Sequence, residues 1–124
     1  MTSDRPGAPL PGWHTVTPRI VARDARGLVD FIVQVFAGRG HYESAVPTIV
    51  EIGDSRLMVS DAGERVPHAT FLYVYVADVE AAYGRALARG AATIEQPLDT
   101  PYGDRRCMVE DPWGNLWQIA SRLA

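Results

Sequence analysis

The sequence predicts an α+β fold made of two βαβββ modules in tandem, and three observations carry that prediction. A strand, a capping aspartate, a helix and a stopping glycine occur twice. Val21-Ala22-Arg23-Asp24 leads into a helix closed by Gly38, and Val74-Tyr75-Val76-Ala77-Asp78 leads into one closed by Gly90. The stretch Gly53-Asp54-Ser55-Arg56-Leu57-Met58-Val59-Ser60 also aligns with Gly114-Asn115-Leu116-Trp117-Gln118-Ile119-Ala120-Ser121, glycine to glycine and serine to serine. Two copies at a spacing of about 55 to 60 residues describe paired modules rather than a solenoid.

Taken in order, residues 1–14 hold five prolines and glycines in their first dozen positions among polar residues and are expected to form a flexible N-terminal arm. Residues 15–124 form the single folded domain, with module one at about 15–61 and module two at about 69–122. Residues 15–23 alternate as a first strand, although Pro18 restricts pairing near its start. Asp24 is an N-cap, and Leu28, Phe31, Ile32, Val35 and Phe36 recur at helical spacing. A short strand is expected over residues 41–46, ended by Pro47. Residues 48–52 and 57–60 pair as a hairpin about Gly53-Asp54. The charged, turn-rich residues 61–68 link the halves. In the second half, residues 71–76 form a strand, and Asp78 caps a helix carrying Val79, Ala82, Tyr83, Ala86 and Leu87. Residues 92–95 form a short strand and 96–101 a loop. The final hairpin turns at Asp111-Pro112-Trp113-Gly114-Asn115, where proline presets φ and glycine and asparagine tolerate positive φ.

Composition narrows the function. With 47% hydrophobic and 22% charged residues this is an ordinary globular chain, and a net charge of −3 leaves no electrostatic footprint for nucleic acid. A single cysteine, Cys107, excludes an internal disulfide and a cysteine-rich zinc site and makes a reducing cytoplasm the expected location. No apolar run approaches the roughly 20 residues of a membrane span, and the N-terminal residues do not read as a signal peptide.

Alternation separates two faces of each sheet. Leu72, Val74 and Val76 suit packing beneath a helix, while Phe71, Tyr73 and Tyr75 point the other way. In the first strand Val16, Ile20 and Ala22 oppose Thr17, Arg19 and Val21; in the last, Leu116, Gln118 and Ala120 alternate with Trp117 and Ile119. A concave face bearing Arg19, Phe71, Tyr73, Tyr75 and Gln118 has the chemistry of a small-molecule pocket. The alternative is that these tyrosines are core residues whose hydroxyls reach solvent or a dimer interface.

Several segments together resemble a known family. They are Val16-Thr17-Pro18, Asp30-Phe31, Val35-Phe36-Ala37-Gly38, Ile52-Gly53-Asp54-Ser55-Arg56-Leu57-Met58-Val59-Ser60-Asp61, Tyr73-Val74-Tyr75-Val76-Ala77-Asp78-Val79, Gly90-Ala91-Ala92, and the hairpin from Tyr102-Gly103-Asp104-Arg105 to Asp111-Pro112-Trp113-Gly114-Asn115-Leu116-Trp117. In that order they are similar to the glyoxalase/bleomycin-resistance/dioxygenase superfamily, also called vicinal oxygen chelate (VOC), and within it to the PhnB-like branch. The resemblance implies paired βαβββ modules forming an open barrel around a cavity, commonly in a homodimer. It also implies a divalent metal held by His, His or Gln, and Glu. Here the corresponding positions are Thr17, Phe71 and Gln118, and the PhnB-like His-Ala-Glu segment is Pro47-Thr48-Ile49. Threonine, phenylalanine and a neutral amide do not replace imidazoles and a carboxylate. No metal or other cofactor is therefore expected.

The remaining chemistry is sparse. His14, His41 and His68 have no ligand spacing, although a bulge could bring His68 toward the cavity. Glu110-Asp111 pairs a solvated carboxylate with a turn residue, and Cys107 has no neighbouring base. The expectation is a metal-free protein that binds a small aromatic or hydrophobic molecule, possible self-resistance by drug sequestration included. Phe71, Tyr73, Tyr75, Tyr102, Trp113 and Trp117 would pack on the ligand, with Arg19 and Gln118 orienting its polar groups. The competing expectation is a VOC-type lyase, isomerase or dioxygenase with a displaced or absent metal site. A homodimer that contacts neither nucleic acid nor membrane accompanies either reading.

Overall fold

A computed structural model of the chain describes residues 6–124. The expected N-terminal arm lies partly outside the described residues, at positions 1–5. The elements are β1 (Arg19–Ala22), α1 (Ala25–Phe36), β2 (Thr48–Ile52), β3 (Ser55–Asp61), β4 (Phe71–Tyr75), α2 (Val79–Ala88), β5 (Ala92–Asp99), β6 (Asp104–Glu110) and β7 (Leu116–Arg122). They form two mixed sheets, β1-β3-β2 and β4-β7-β6-β5, that do not close on one another. In each, the first strand runs parallel to the last strand of its own half: Arg19 opposes Met58, and Phe71 opposes Leu116. The α+β class and the internal repeat therefore hold.

Both helices start as their sequence dictates. Asp24 accepts from the Gly27 amide and Asp78 from the Ala81 amide, each at 3.1 Å, satisfying amides with no partner inside the helix. The end of α1 differs from expectation. The left-handed residue is Ala37 (φ 53°), not Gly38, whose amide reaches back to the Val33 carbonyl at 3.1 Å. Gly38 is needed for a different reason: a Cβ there would lie 3.1 Å from the Glu51 carbonyl of β2.

One core serves both halves. Leu28, Phe31, Ile32 and Val35 of α1 bury against Ile20, Val50, Leu57 and Val59, each large side chain contributing roughly 1.5–3 kcal/mol. The apolar face of α2 carries the small Ala82 and Ala86 over Cys107, Val109 and Ile119. Small residues on α2 leave room for Phe36 of α1 to cross and meet Trp117 of β7, ring centroids 5.0 Å apart. Arg85 of α2 donates twice to the Val35 carbonyl, at 3.0 and 2.8 Å, capping one helix with the side chain of the other.

Three expected elements change. Residues 41–46 are not a strand, so the first half carries three strands where the second carries four. This segment is tied down by side chains instead: Tyr42 donates to Asp61, which also accepts from the Ala25 amide, and Glu43 N donates to Thr48 Oγ1 at 2.8 Å. The strand expected over 92–95 continues to Asp99, because register shifts on either side of Glu95 absorb Pro97 without ending the ladder. The first strand begins at Arg19 rather than residue 15, just past the proline that lacks an amide proton.

The final turn is held by one carboxylate. Asp111 Oδ1 accepts from the Trp113 and Asn115 amides, and Oδ2 accepts from Asn115 Nδ2 and Trp117 Nε1, all at 2.8–2.9 Å. The side-chain Oδ1 of Asn115 in turn accepts from the Thr70 amide at 2.9 Å, registering the start of β4. Replacing Asp111 by alanine strands buried donors, and a destabilisation of at least about 3 kcal/mol is expected in denaturant unfolding. A loss below about 1 kcal/mol would show that the turn holds without it.

Candidate functional site

Each sheet has one face under its helix and one open face. On the four-stranded sheet, Tyr73 opposes Gln118 and Gln118 opposes Met108, while Tyr75 opposes Ala120 and Ala120 opposes Arg106. Alternation therefore places Phe71, Tyr73 and Tyr75 on the open face with Gln118, Met108, Arg106 and Asp104. The three aromatic residues are 58%, 37% and 58% exposed, so they are not core residues. Tyr73 and Tyr75 meet edge to face, with centroids 5.5 Å apart.

The hydrogen bonds of this face converge on Asp104, at the first position of β6 and 1% exposed. Its Oδ2 accepts from the Tyr73 hydroxyl at 2.6 Å and the Tyr75 hydroxyl at 2.9 Å, and its Oδ1 pairs with Arg122 at 2.8 Å. Its amide donates to Thr100 Oγ1 at 2.9 Å, closing the loop between β5 and β6. The Tyr73 hydroxyl lies 3.4 Å from that of Tyr102, which receives Arg106 Nη1 at 2.8 Å; Arg106 also pairs with Glu95 at 2.8 Å. Hydrogen bonds from Tyr73 above all, then from Tyr75 and Arg122, hold the Asp104 carboxyl below the usual carboxylate range despite its burial. Burial, then the bond to Asp104, pushes the Tyr73 phenol up; for Tyr75 the bond to Asp104 is the larger cause. Both phenols stay protonated at neutral pH.

A second feature adjoins the first. A cleft of about 390 Å³ runs along the free edge of β4, lined by Leu72, Val74, Tyr73 and Tyr75 on one side. Its opposite wall is Val16, Pro18 and the β2–β3 hairpin, with His14 at its rim. Trp13 lies under Arg56 of that hairpin, 5.1 Å from guanidinium to ring centroid, so the segment before β1 is one wall of the cleft.

Of the eight predicted ligand-binding residues, Phe71, Tyr73, Tyr75 and Gln118 share one face, and Tyr102 joins them through Tyr73. Arg19 stands on the open face of the other sheet, where its Nε donates to Ser60 Oγ at 3.2 Å. Trp117 is fully buried, opposite Leu72 on the helix side, because its indole N–H is taken by Asp111 and its ring by Phe36. Trp113 packs on Phe31 of α1, 6.0 Å between centroids, also on the helix side. Neither tryptophan faces the site. Asp104, Arg106 and Glu95 were not among the predicted residues, yet they organise the face; alternation across the final hairpin from Gln118 would have found the first two.

The metal positions implied by resemblance do not fit a divalent ion. Phe71 and Gln118 lie on β4 and β7, Thr17 precedes β1, and the set offers one hydroxyl and one neutral amide. Among the described residues no three His, Cys, Asp or Glu side chains cluster as ligands. His68 is exposed and its backbone pairs with Val21. Cys107 is buried, its thiol pushed up to about 11 by loss of solvent, and so is not a nucleophile at neutral pH. Among the described residues no helix is long and apolar enough to cross a membrane.

An internally repeated strand–helix–strand chain with open sheet faces defines a class of fold, and residues 12–119 match the model of the Glyoxalase/Bleomycin resistance protein/Dioxygenase superfamily. The chain belongs to that superfamily. An uncharacterized protein of Mycobacterium bovis is 27% identical over 122 residues, covering 84% of this chain and 80% of its own length. The solved structure of TioX from Micromonospora sp. ML1 superposes with a TM-score of 0.73 at 25% identity, covering 90% of this chain and all of that one. A glyoxalase/bleomycin resistance protein/dioxygenase family enzyme from Burkholderia phytofirmans gives 0.72 at 22% identity, over 85% and 95% of the two chains.

The depressed carboxyl of Asp104 sets the sign of a pH effect. A group whose pKa is lower folded than unfolded, about 3.9 in the unfolded chain, stabilises fully above that value and progressively less as pH falls through the folded value. Wild type is therefore expected to melt above Asp104→Asn near neutrality, with the gap closing below about pH 4. Melting temperatures of both across the acid range check this, and a pH-independent gap contradicts it.

Proposed function

We propose that the protein is a metal-free binding protein that holds a small aromatic or hydrophobic molecule on the open face of the β4–β7 sheet. The observation that carries this reading is the exposure of Phe71, Tyr73 and Tyr75 along one face, the two tyrosines fixed by a buried Asp104, in a chain whose family metal positions are Thr17, Phe71 and Gln118. The Tyr73 and Tyr75 rings, fixed by hydrogen bonds at their hydroxyl ends, offer flat contact area at small entropic cost. Sequestration of a drug-like compound in the cytoplasm, as a self-resistance device, is the biological role that fits such a site. The PhnB-like pattern around Gly53 and Gly114 is compatible with this reading, since it marks the hairpins and not the chemistry.

We also propose a homodimer. The free edge of β4 and the exposed apolar side chains on both open faces are surfaces that proteins cover. A second copy laid across them would turn the open face into a cavity and bring an Arg19 toward the bound molecule.

Three outcomes follow. Metal analysis of purified protein is expected to show well below one equivalent of zinc, nickel, manganese or iron; a tightly held equivalent overturns the metal-free reading. A planar aromatic compound present at about 100 times its Kd should add about 2.7 kcal/mol of stability, visible as a melting shift of a few degrees. If no member of a diverse aromatic library does so, the binding reading fails. Phe71→Ala should weaken the ligand about tenfold or more while the protein melts within a degree or two of wild type, whereas Trp117→Ala, in the core, should cost about 3–5 kcal/mol of folding stability.

A further inference from the structure

The two halves repeat in sequence at a point where they differ in structure. His14 and His68 each stand ten residues before a capping aspartate, and Val21 and Tyr75 each stand three residues before one. His68 is bridged to Val21 across the halves. The Val21 amide donates to the His68 carbonyl at 3.1 Å, and the His68 amide to the Val21 carbonyl at 2.9 Å. Exchanging the halves turns this pair into His14 and Tyr75. Among the described residues no backbone hydrogen bond joins those two; they line the cleft of about 390 Å³ instead.

The main chain of Tyr75 is turned to receive such a bridge. The Leu116 amide donates to the Thr70 carbonyl at 2.9 Å and the Val76 amide to the Ala120 carbonyl at 2.8 Å, so even-numbered residues of β4 face β7. Alternation then points the N–H and C=O of Tyr75 to the free edge. Val21 is placed alike. Bonds from the Met58 amide to the Pro18 carbonyl and from the Ala62 amide to the Ala22 carbonyl leave it facing away from β3. The Tyr75 hydroxyl is held by Asp104, so its main chain can pair without moving the ring.

The segment that would make the bridge is latched elsewhere. Gly12 (φ 87°) brings the chain close against Arg56, where a Cβ would lie 3.0 Å from Nη1, and Trp13 lies under that guanidinium. In this position His14 is exposed, and Val16 is 80% exposed at the wall of the cleft. A surface cation–π contact contributes about 0.5–1 kcal/mol and a net hydrogen bond about 0.5–1.5 kcal/mol, so the latched and bridged arrangements are of similar free energy.

We propose that residues 13–17 are a strap that swings from Arg56 onto the free edge of β4, bridges His14 to Tyr75 and closes the cleft. An antiparallel bridge there sets Val16 opposite Tyr73, so the strap fills the cleft and denies it to any other occupant. The chain's own segment takes the edge of β4, and a second copy is left the exposed rings of the open faces.

Residue-resolved amide exchange on the full-length chain tests this. Trp13→Ala releases the latch and is expected to slow exchange of the Tyr75 amide at least about fivefold. Adding His14→Pro, which removes the N–H donor, should abolish that slowing. An engineered cysteine pair gives a second readout. The same register sets Thr15 opposite Val74 with Cα atoms about 4.5 Å apart, within disulfide reach. Thr15→Cys/Val74→Cys, checked by melting for an intact fold, should cross-link within one chain under mild oxidation, and faster when combined with Trp13→Ala. A Tyr75 exchange rate that Trp13→Ala leaves unchanged, or the absence of an intrachain cross-link, overturns the strap. Protection of Tyr75 that falls on dilution and ignores His14→Pro gives the edge to a second copy and overturns it as well.

Discussion

The Asp111 carboxylate is the constraint on which the second half of the molecule depends. Four donors converge on two oxygens: two backbone amides that shape the turn, one amide side chain, and one indole. The bonds act at three levels. They fix the turn between β6 and β7, they hold Trp117 in the core where Phe36 of α1 can pack on it, and through Asn115 they place the start of β4 beside β7. Register matters because strand side chains alternate with period two. A one-residue slip of β4 would turn Phe71, Tyr73 and Tyr75 into the core and Leu72 and Val74 outward. The aromatic face exists because a buried turn is satisfied elsewhere.

A second carboxylate repeats this logic on the other side of the sheet. Asp104, like Asp111, is almost fully buried and accepts from several donors, but its donors are side chains that end at the surface. One aspartate thus specifies the backbone and the other specifies the orientation of rings. Burying either charge is costly, and each is tolerated because its oxygens are filled. The difference between them is exposure of the partners: those of Asp111 point inward, and those of Asp104 carry 37–58% exposed phenol rings.

The fold was legible wherever local chemistry decides it. Capping aspartates, the glycine-led hairpins and the alternation of β4 are short-range signals, and each appears in the structure as read. The first strand of the site was legible for the same reason, since alternation alone separates Tyr73 from Val74. Trp117 was misplaced because an aromatic side chain near a proposed pocket says nothing about which partner takes its N–H, and that partner lies six residues away across the turn. Asp104 was missed because a charged residue at a strand end ordinarily stays in water; its burial depends on Tyr73 and Tyr75, about 30 residues earlier. The strand expected over residues 41–46 failed for a related reason: a strand needs a neighbour with free backbone groups, and the Tyr42 hydroxyl found Asp61 instead.

The position of Cys107 gives the molecule a built-in clock. It lies opposite Ile119 in the middle of the four-stranded sheet, fully buried under α2, directly behind the row of residues that forms the open face. A thiol reagent reaches it only when the helix lifts or the two central strands part. Its alkylation rate therefore measures how often this sheet opens, independently of global melting. A molecule bound on the aromatic face, bridging the same strands from the front, would slow that clock from the far side of the sheet.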